Sequence, residues 1–576
     1  MTSVWKRLKP YGGLVALTLG LVMVQALAEL GLPTLMAGII DRGVLGGDQG
    51  AIFSGGLAMV ALAAAAAVAS VAAAWASSRM GAGFGRDLRS AVFRKATALG
   101  PDQFQSLGAA SLITRTTNDV TQVQSLAVMS LRMMAMAPLM AIGGLVMAFS
   151  LDAELALVLA VVVPLLALAI ALLATQAMKL FQIVQEKVDR LNLVLRESLT
   201  GVRVIRAFDR QNFDAQRFDA ANLDLAAISL QTQKLMSVVM PGMMFAMSLA
   251  SVALVWFGGM RIQAGSLQVG GLMAFLQYST QILFSLMMMS MLFVILPRAA
   301  VSARRIAEVL EAPQAPGTQS GGATPVSETV GLAVEFRRVT FRYPGAEQAA
   351  LAEVSFTAPA GRTTAIIGGT GSGKSTVLQL VGRFHDATEG QVLVGGLDVK
   401  DWDRSALRAR IGLSPQQARL FTGTVAENLR WGRADASTDQ MNQAVATAQA
   451  QDFVQGLDDG LEGKIDQAGA NLSGGQKQRL TIARALVRGA GVLLFDDSFS
   501  ALDAGTDARL RQALNREIQG TVIVVAQRVA TVRDADHIVV LDDGRVAGAG
   551  THDALLASCP VYQEIVASQE GGEEAE

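Results

Sequence analysis

The sequence predicts an α-helical polytopic membrane domain of six spans, followed by an α/β domain with a mainly parallel sheet. Three observations predict it. Hydrophobic residues make up 51% of the 576 residues and the mean hydropathy is +0.38, too apolar for a water-soluble chain of this length. Apolar runs of about 20 residues, the length that crosses a bilayer core, recur throughout the first half. Beyond residue 330 the pattern changes to short β-branched runs between helical stretches, the signature of strands buried on both faces.

Composition also narrows the function. Formal net charge is −1 and only 17% of residues are charged, which supplies no electrostatic footprint for nucleic acid. A single cysteine, Cys559, excludes an internal disulfide framework and a Cys-rich metal site, and three histidines leave little for a histidine site.

The six spans are expected at 12–40, 51–78, 128–150, 155–178, 236–260 and 271–297. Positive charge sets their orientation. Lys6, Arg7 and Lys9 precede the first run, and the two long inter-span segments carry Arg79, Arg86, Arg89, Arg94, Lys187, Arg190, Arg196 and Arg203, so these are cytoplasmic. The connections at Asp41 to Gly50, Asp152 to Glu154 and Arg261 to Gly270 are short and carry at most one Arg each, so they face outside. Ala26-Leu27-Ala28 could pass for a signal-peptidase site, but the apolar run continues to Ile40 and five spans follow.

Gln25 and Glu29 sit at i, i+4 on one face of the first span. An ionisable group at membrane depth is a candidate substrate contact; the alternative is an acid near the interface or paired with another helix, and Arg132 in the third span is a mirror case. Met287, Met288, Met289 and Met291 could line an adaptable cavity, or simply pack against lipid and helix.

The cytoplasmic segments at 79–127 and 179–235 are too long for turns. Val184, Val188, Leu191, Leu195 and Leu199 recur at helical spacing, so these segments read as helices projecting from the membrane. The expected division is a membrane domain over 1–311, a Pro/Gly-rich linker over 312–330, the α/β domain over 331–566 and an acidic solvated tail over 567–576.

Strand-like runs fall at Thr364 to Ile367, Val492 to Phe495, Val522 to Val525 and Ile538 to Leu541. The first leads into Gly368, Gly369, Thr370, Gly371, Ser372, Gly373, Lys374, Ser375 and Thr376, which open a helix. This is a phosphate loop in its strand–loop–helix context, and it makes the second domain an α/β P-loop nucleotide-binding domain. The glycines let backbone N–H groups converge on phosphate, Lys374 reaches the terminal phosphates of ATP, and the Ser375 hydroxyl can ligate Mg²⁺. Asp496, after four apolar residues, is placed at a strand's C-terminal edge, where it can hold the metal's water shell.

Between these two elements lies Leu472-Ser473-Gly474-Gly475-Gln476-Lys477-Gln478-Arg479. With this octapeptide the chain resembles an ATP-binding cassette (ABC) exporter half-transporter over nearly its whole length. The resemblance implies a dimer in which each ATP sits between one chain's phosphate loop and the other's Ser473, Gly474, Gly475 and Gln476. It also implies that Tyr343 stacks on adenine, that Gln416 senses Mg²⁺, and that Ser500 to Asp503 is exchanged between sites. Finally, it implies that the segments around Thr116 to Asp119 and Arg206 to Arg210 are the coupling helices that dock on the cassettes.

Two departures from the family pattern stand at the catalytic positions. Asp497 follows Asp496 where the family has Glu, and Gln527 replaces the switch histidine. A carboxylate one methylene shorter lies on the order of 1 Å from where it would orient water, a displacement that can cost about 10²-fold. Gln can hydrogen-bond phosphate but does not titrate near neutral pH. The combination is similar to the degenerate-site subunits of heterodimeric multidrug exporters, with hydrolysis at a partner's site. Asp466-Gln467-Ala468-Gly469 also departs from the family's Glu-Arg-Gly.

The expected function is ATP-driven export of amphipathic drugs or lipids by a multi-pass protein of the cell membrane, paired with a second half-transporter. The alternatives are a homodimeric lipid or peptide flippase with slow ATPase, and an ATP-gated channel or regulator.

Overall fold

The computed structural model describes residues 2–313 and 331–573, except the side chains at 2, 170, 174, 240, 290–295, 297 and 570–573. The chain forms two units, Met1–Thr97 with Leu107–Ala312 and Ala98–Ser106 with Pro313–Glu576. The expected linker lies, beyond residue 313, outside the described residues, as does the side chain of Met291.

The first unit is helical: α1 (Gly12–Gly38), α2 (Gln49–Thr97), then, beyond the short α3 (Pro101–Leu107), α4 (Val120–Leu151), α5 (Ala153–Thr200), α6 (Gln211–Gln263) and α7 (Val269–Glu311). Among the described residues, six helices are long and apolar enough to cross a membrane. At 48 to 53 residues, α2, α5 and α6 reach about 70–80 Å, more than twice a bilayer core. They therefore run on past their apolar stretches, as the helical spacing of the polar segments predicts.

Small residues let these helices approach. Ala66, Ala69, Ala73 and Ala76 form one buried seam of α2. Leu30 of α1 packs on Gly143 of α4, and Ile282 of α7 lies where a side chain on Gly144 would be.

The three short connections meet at one end of the bundle. Asp41 Oδ1 accepts from Gly270 N at 2.6 Å, and Arg261 Nη2 pairs with the buried Asp152 carboxylate at 2.9 Å. Burial opposes the charge of Asp152, but hydrogen bonds from Leu155 N, Arg261 and Glu154 N prevail and hold its pKa below the ordinary value.

Around Thr116 to Asp119, expected as a coupling helix, the chain makes a π-helical turn whose end residues Arg115 and Asp119 are buried within the first unit, while Thr117 and Asn118 are exposed. Arg115 pairs with Glu308 at 2.8 Å and Ser302 donates to Asp119 Oδ1 at 2.8 Å, so α7 supplies a partner to each charge, although Asp119 Oδ2 is buried without one among the described residues. It is instead Ala98–Ser106 that belongs with the second unit, where Asp102 Oδ2 lies 3.4 Å from His385 Nδ1. Gly100-Pro101 and a left-handed Gly108 isolate this stretch from the neighbouring helices. Arg206 to Arg210 forms the exposed turn between α5 and α6.

The second unit holds two larger sheets. Strands β1 (Val334–Phe341), β2 (Leu351–Ala358), β4 (Glu389–Val394) and β5 (Leu397–Asp398) form an antiparallel sheet in the order β2-β1-β4-β5. The other sheet contains β3 (Thr363–Gly368), β6 (Ile411–Ser414), β7 (Val492–Asp496), β8 (Thr521–Val525), β9 (His537–Asp542) and β10 (Arg545–Gly550), in the order β10-β9-β3-β8-β7-β6. It is parallel except for β10.

Successive residues of β3 serve two cores: Ala365 and Ile367 face one, Ile366 the other. That explains its continuous apolar run. The antiparallel sheet was not predicted, because β1 alternates buried with exposed residues and so presents no such run. The helices used below are α8 (Lys374–Val381), α9 (Gly474–Leu486), α10 (Ala504–Glu517) and α11 (Pro560–Glu573). Residues 567–573 of the expected tail are thus helical, and residues 574–576 lie outside the described ones.

Candidate functional site

The phosphate loop leaves β3 between β9 and β8, in the interior of the parallel sheet. Gly371 and Gly373 have φ of +86° and +95°, and a Cβ on Gly373 would lie 2.6 Å from Ala350 O. Only glycine lets the chain turn there into α8. Gly369, Thr370 and Gly371 are exposed, and the space over Gly369 and Gly371 is open. The result is a loop of backbone ahead of a helix N-terminus, a cradle that fits phosphate oxygens.

Lys374 is buried, and its ammonium turns back to donate to Gly368 O at 2.8 Å, Gly369 O at 2.6 Å and Ser372 Oγ at 3.4 Å. Burial pushes its pKa down, against the pull of Asp497 and Asp496. Ser375 Oγ donates to Asp496 Oδ1 at 2.7 Å. Burial raises the pKa of Asp496 against that hydrogen bond, and the neighbouring Asp497 raises it further. Among the described residues no group of three His, Cys, Asp or Glu could hold a metal. Ser375 and Asp496, with Gln416 nearby, offer the sparse oxygen set of a Mg²⁺ that takes its remaining ligands from water and phosphate.

Asp497 lies just beyond β7 with φ of +46°, fixed by its N–H donating to Val525 O at 2.9 Å. Its Oδ2 accepts from Gln527 Nε2 at 3.2 Å. Burial raises its pKa, opposed by Lys374, Arg528 and hydrogen bonds with Gln416 and Ser500. Lys374, Ser375, Gln416, Asp496, Asp497 and Gln527 therefore form one constellation.

Tyr343 is half-buried, and its hydroxyl bonds to Thr376 Oγ1 at 3.1 Å and Gln379 Oε1 at 3.0 Å. Its ring meets Phe341 and His385 edge-on, which sets it beside the first turns of α8.

The signature residues stand apart from the phosphate loop. Ser473 caps α9, accepting from Gln476 N at 3.3 Å while Gln476 Oε1 accepts from Ser473 N at 2.8 Å. Ser473 and Gln476 bond to each other, not to the phosphate loop, and Gly474 has open space around it. Gly475 faces the Ala501 carbonyl, just ahead of α10. Ala468, in the departing stretch before the signature, has φ of +55°. Gln25 and Glu29 lie in the first unit, hydrogen-bonded to each other at 2.9 Å.

Two contributions were not foreseen. Ser498 Oγ reaches Ser414 O and Oγ, each at 3.0 Å, tying the Asp496-Asp497 turn to the segment that carries Gln416. Gln569 of α11 donates to Gln527 O and accepts from Val529 N, both at 2.8 Å. No spacing rule finds Gln569, because it lies about 40 residues away in what reads as a polar tail.

Comparison with known proteins identifies the family. Residues 15–287 match the model of the ABC transporter transmembrane region, and residues 351–500 the ABC transporter model. An uncharacterized ABC transporter ATP-binding protein of Mycobacterium tuberculosis is 43% identical, over 98% of this chain and 97% of its own. The ATP-dependent lipid A-core flippase of Xanthomonas oryzae is 32% identical over 83% of this chain and 81% of its own. A solved structure of a bacterial Atm1-family ABC exporter with ATP bound shares the fold, with a TM-score of 0.80 over 98% of both chains at 24% identity. The chain belongs to the ABC transporter family, as an exporter-type half-transporter in which a six-helix membrane domain is fused to one ATP-binding cassette.

Proposed function

We propose that this chain exports amphipathic small molecules, drugs or lipids, across the cell membrane as one half of a heterodimer. Its own phosphate loop binds ATP and cleaves it poorly, while Ser473 to Gln476 completes the hydrolytic site of a partner half-transporter that carries Glu and His at the two catalytic positions.

The observation that carries this reading is the Asp497–Gln527 hydrogen bond. One carboxylate oxygen is occupied by an amide that neither gives nor takes a proton near neutral pH. Lys374 and the loop N–H groups bind and orient the phosphates, and Ser375 and Asp496 hold Mg²⁺, which when bound neutralises phosphate charge. Ser473 and the N–H groups of Gly474 and Gly475, at the start of α9, donate to the partner's nucleotide. ATP binding then favours one of two arrangements of the spans, and hydrolysis in the partner's site releases it.

A second reading, a homodimeric lipid or peptide flippase with slow ATPase, draws on the raised pKa of Asp497, a change in the direction a general base needs. ATP-dependent movement of a fluorescent lipid in proteoliposomes, with and without the partner, separates the two. Movement that requires the partner supports the heterodimer, and movement by this chain alone supports the flippase.

A further inference from the structure

We propose that the cavity inside the membrane unit takes a linear zwitterion with an apolar body. A short apolar peptide with free ends is the simplest case, its ammonium at Glu29 and its carboxylate at Arg132. The inference deepens the export reading and rests on it.

The cavity, about 700 Å³, lies between α1, α4 and α7, a size suited to a small organic ligand. One wall is made by Met129, Met133, Met136 and Met140, which recur at helical spacing along α4 and line the cavity together. Methionine walls adapt to varied apolar shapes.

The polar groups are segregated to two places. Glu29 and Arg132 both line the cavity, yet among the described residues neither makes an ion pair. The Glu29 carboxylate accepts only from Gln25, and Arg132 makes no hydrogen bond among the described residues. Charges at membrane depth are costly unless partnered. Beside Glu29, Gln281 donates its amide N–H to Glu29 O at 3.2 Å, and its Oε1 is buried with no partner. One end therefore presents spare acceptors, as an ammonium requires, and the other a donor-only guanidinium that matches a carboxylate.

The spacing decides between ligand classes. Leu30, next to Glu29, packs on Gly143, so Glu29 stands near the level of Gly143. Arg132 is 11 residues earlier on the same helix as Gly143, which is about 16 Å at 1.5 Å per residue. Helical side chains lean toward their own N-termini. α1 and α4 cross the membrane in the same sense, so the lean preserves most of that separation. An extended peptide advances about 3.3–3.6 Å per residue, so four or five residues set their terminal charges at this distance. A lipid headgroup with adjacent phosphate and amine does not.

The test measures binding to the full-length chain in nanodiscs without nucleotide. The probes are tetraleucine with free ends, its N-acetyl and C-amide forms, and a single-chain phosphocholine amphiphile. Retained trinitrophenyl-ATP binding checks folding of each variant. The free peptide is expected to bind at least about tenfold more tightly than either blocked form, a difference within reach of one charged hydrogen-bonded contact. Glu29→Gln should abolish only the discrimination against the acetyl group, and Arg132→Gln only that against the amide. Equal binding of free and blocked peptides, tighter binding of the phosphocholine, or no peptide binding would overturn the inference. ATP-dependent lipid movement that persists in any of those cases leaves the export reading standing.

Discussion

Gln527 Nε2 donates to Asp497 Oδ2 across 3.2 Å, joining the two side chains that occupy the catalytic positions of this cassette. The contact ties the end of β7 to the end of β8. It is held from behind by Gln569, which clasps Gln527 O and Val529 N, and from the side by the backbone bond from Asp497 N to Val525 O. On the proposed reading, this arrangement retains nucleotide better than it cleaves it.

Lys374→Ala should weaken ATP binding by this chain at least about tenfold, because the buried ammonium held on the phosphate loop's own carbonyls is lost. Trinitrophenyl-ATP titration of the purified chain checks it. An unchanged affinity would mean that phosphate is held elsewhere.

Ser473→Ala removes both the cap of α9, worth about 1 kcal/mol, and the proposed donor to a partner's nucleotide. ATPase activity of the proposed heterodimer should fall at least about tenfold, while this chain's own nucleotide affinity stays within about twofold. Comparing Ser473→Gly, which caps a helix nearly as well but has no hydroxyl, separates helix stability from chemistry.

Gln569→Ala should loosen the Gln527 to Val529 turn by about 1–3 kcal/mol through loss of two hydrogen bonds. Faster amide hydrogen exchange at Val529, with unchanged exchange in β8, is the expected readout.

Arg261→Gln leaves the buried Asp152 with its two backbone donors only, and should cost about 1–3 kcal/mol at neutral pH. The sign of the pH dependence follows from the lowered pKa of Asp152. Its contribution is present above the unfolded carboxylate value of about 3.9 and is lost as pH falls through the lower folded value. In the variant burial is no longer offset by Arg261, so the loss begins at higher pH. Thermal unfolding in detergent from pH 3 to 7 checks both statements.

Much of this was legible in the residues. The spans follow from apolar length, the phosphate loop from glycines between a strand and a helix, and Asp496 from the run that precedes it. Other features depend on tertiary partners and leave no local trace. The burial of Arg115 and Asp119 rests on Glu308 and Ser302, about 190 residues away in sequence, as partners. The Gln569 clasp joins positions about 40 residues apart. The methionines at Met287 to Met289 drew notice because they are consecutive, but the stripe on α4 is the one that lines the cavity together, joined from that run by Met288 alone.

Steady-state ATPase activity in lipid tests the central claim most directly, measured for this chain alone, with the proposed partner half-transporter, and with Asp497→Glu combined with Gln527→His. The expected result is almost no activity alone, robust activity with the partner that disappears when the partner's catalytic Glu is changed, and about a 10²-fold gain in the doubly restored chain. Robust activity from the unaltered chain alone would show that Asp497 is a working base and would contradict the degenerate-site account.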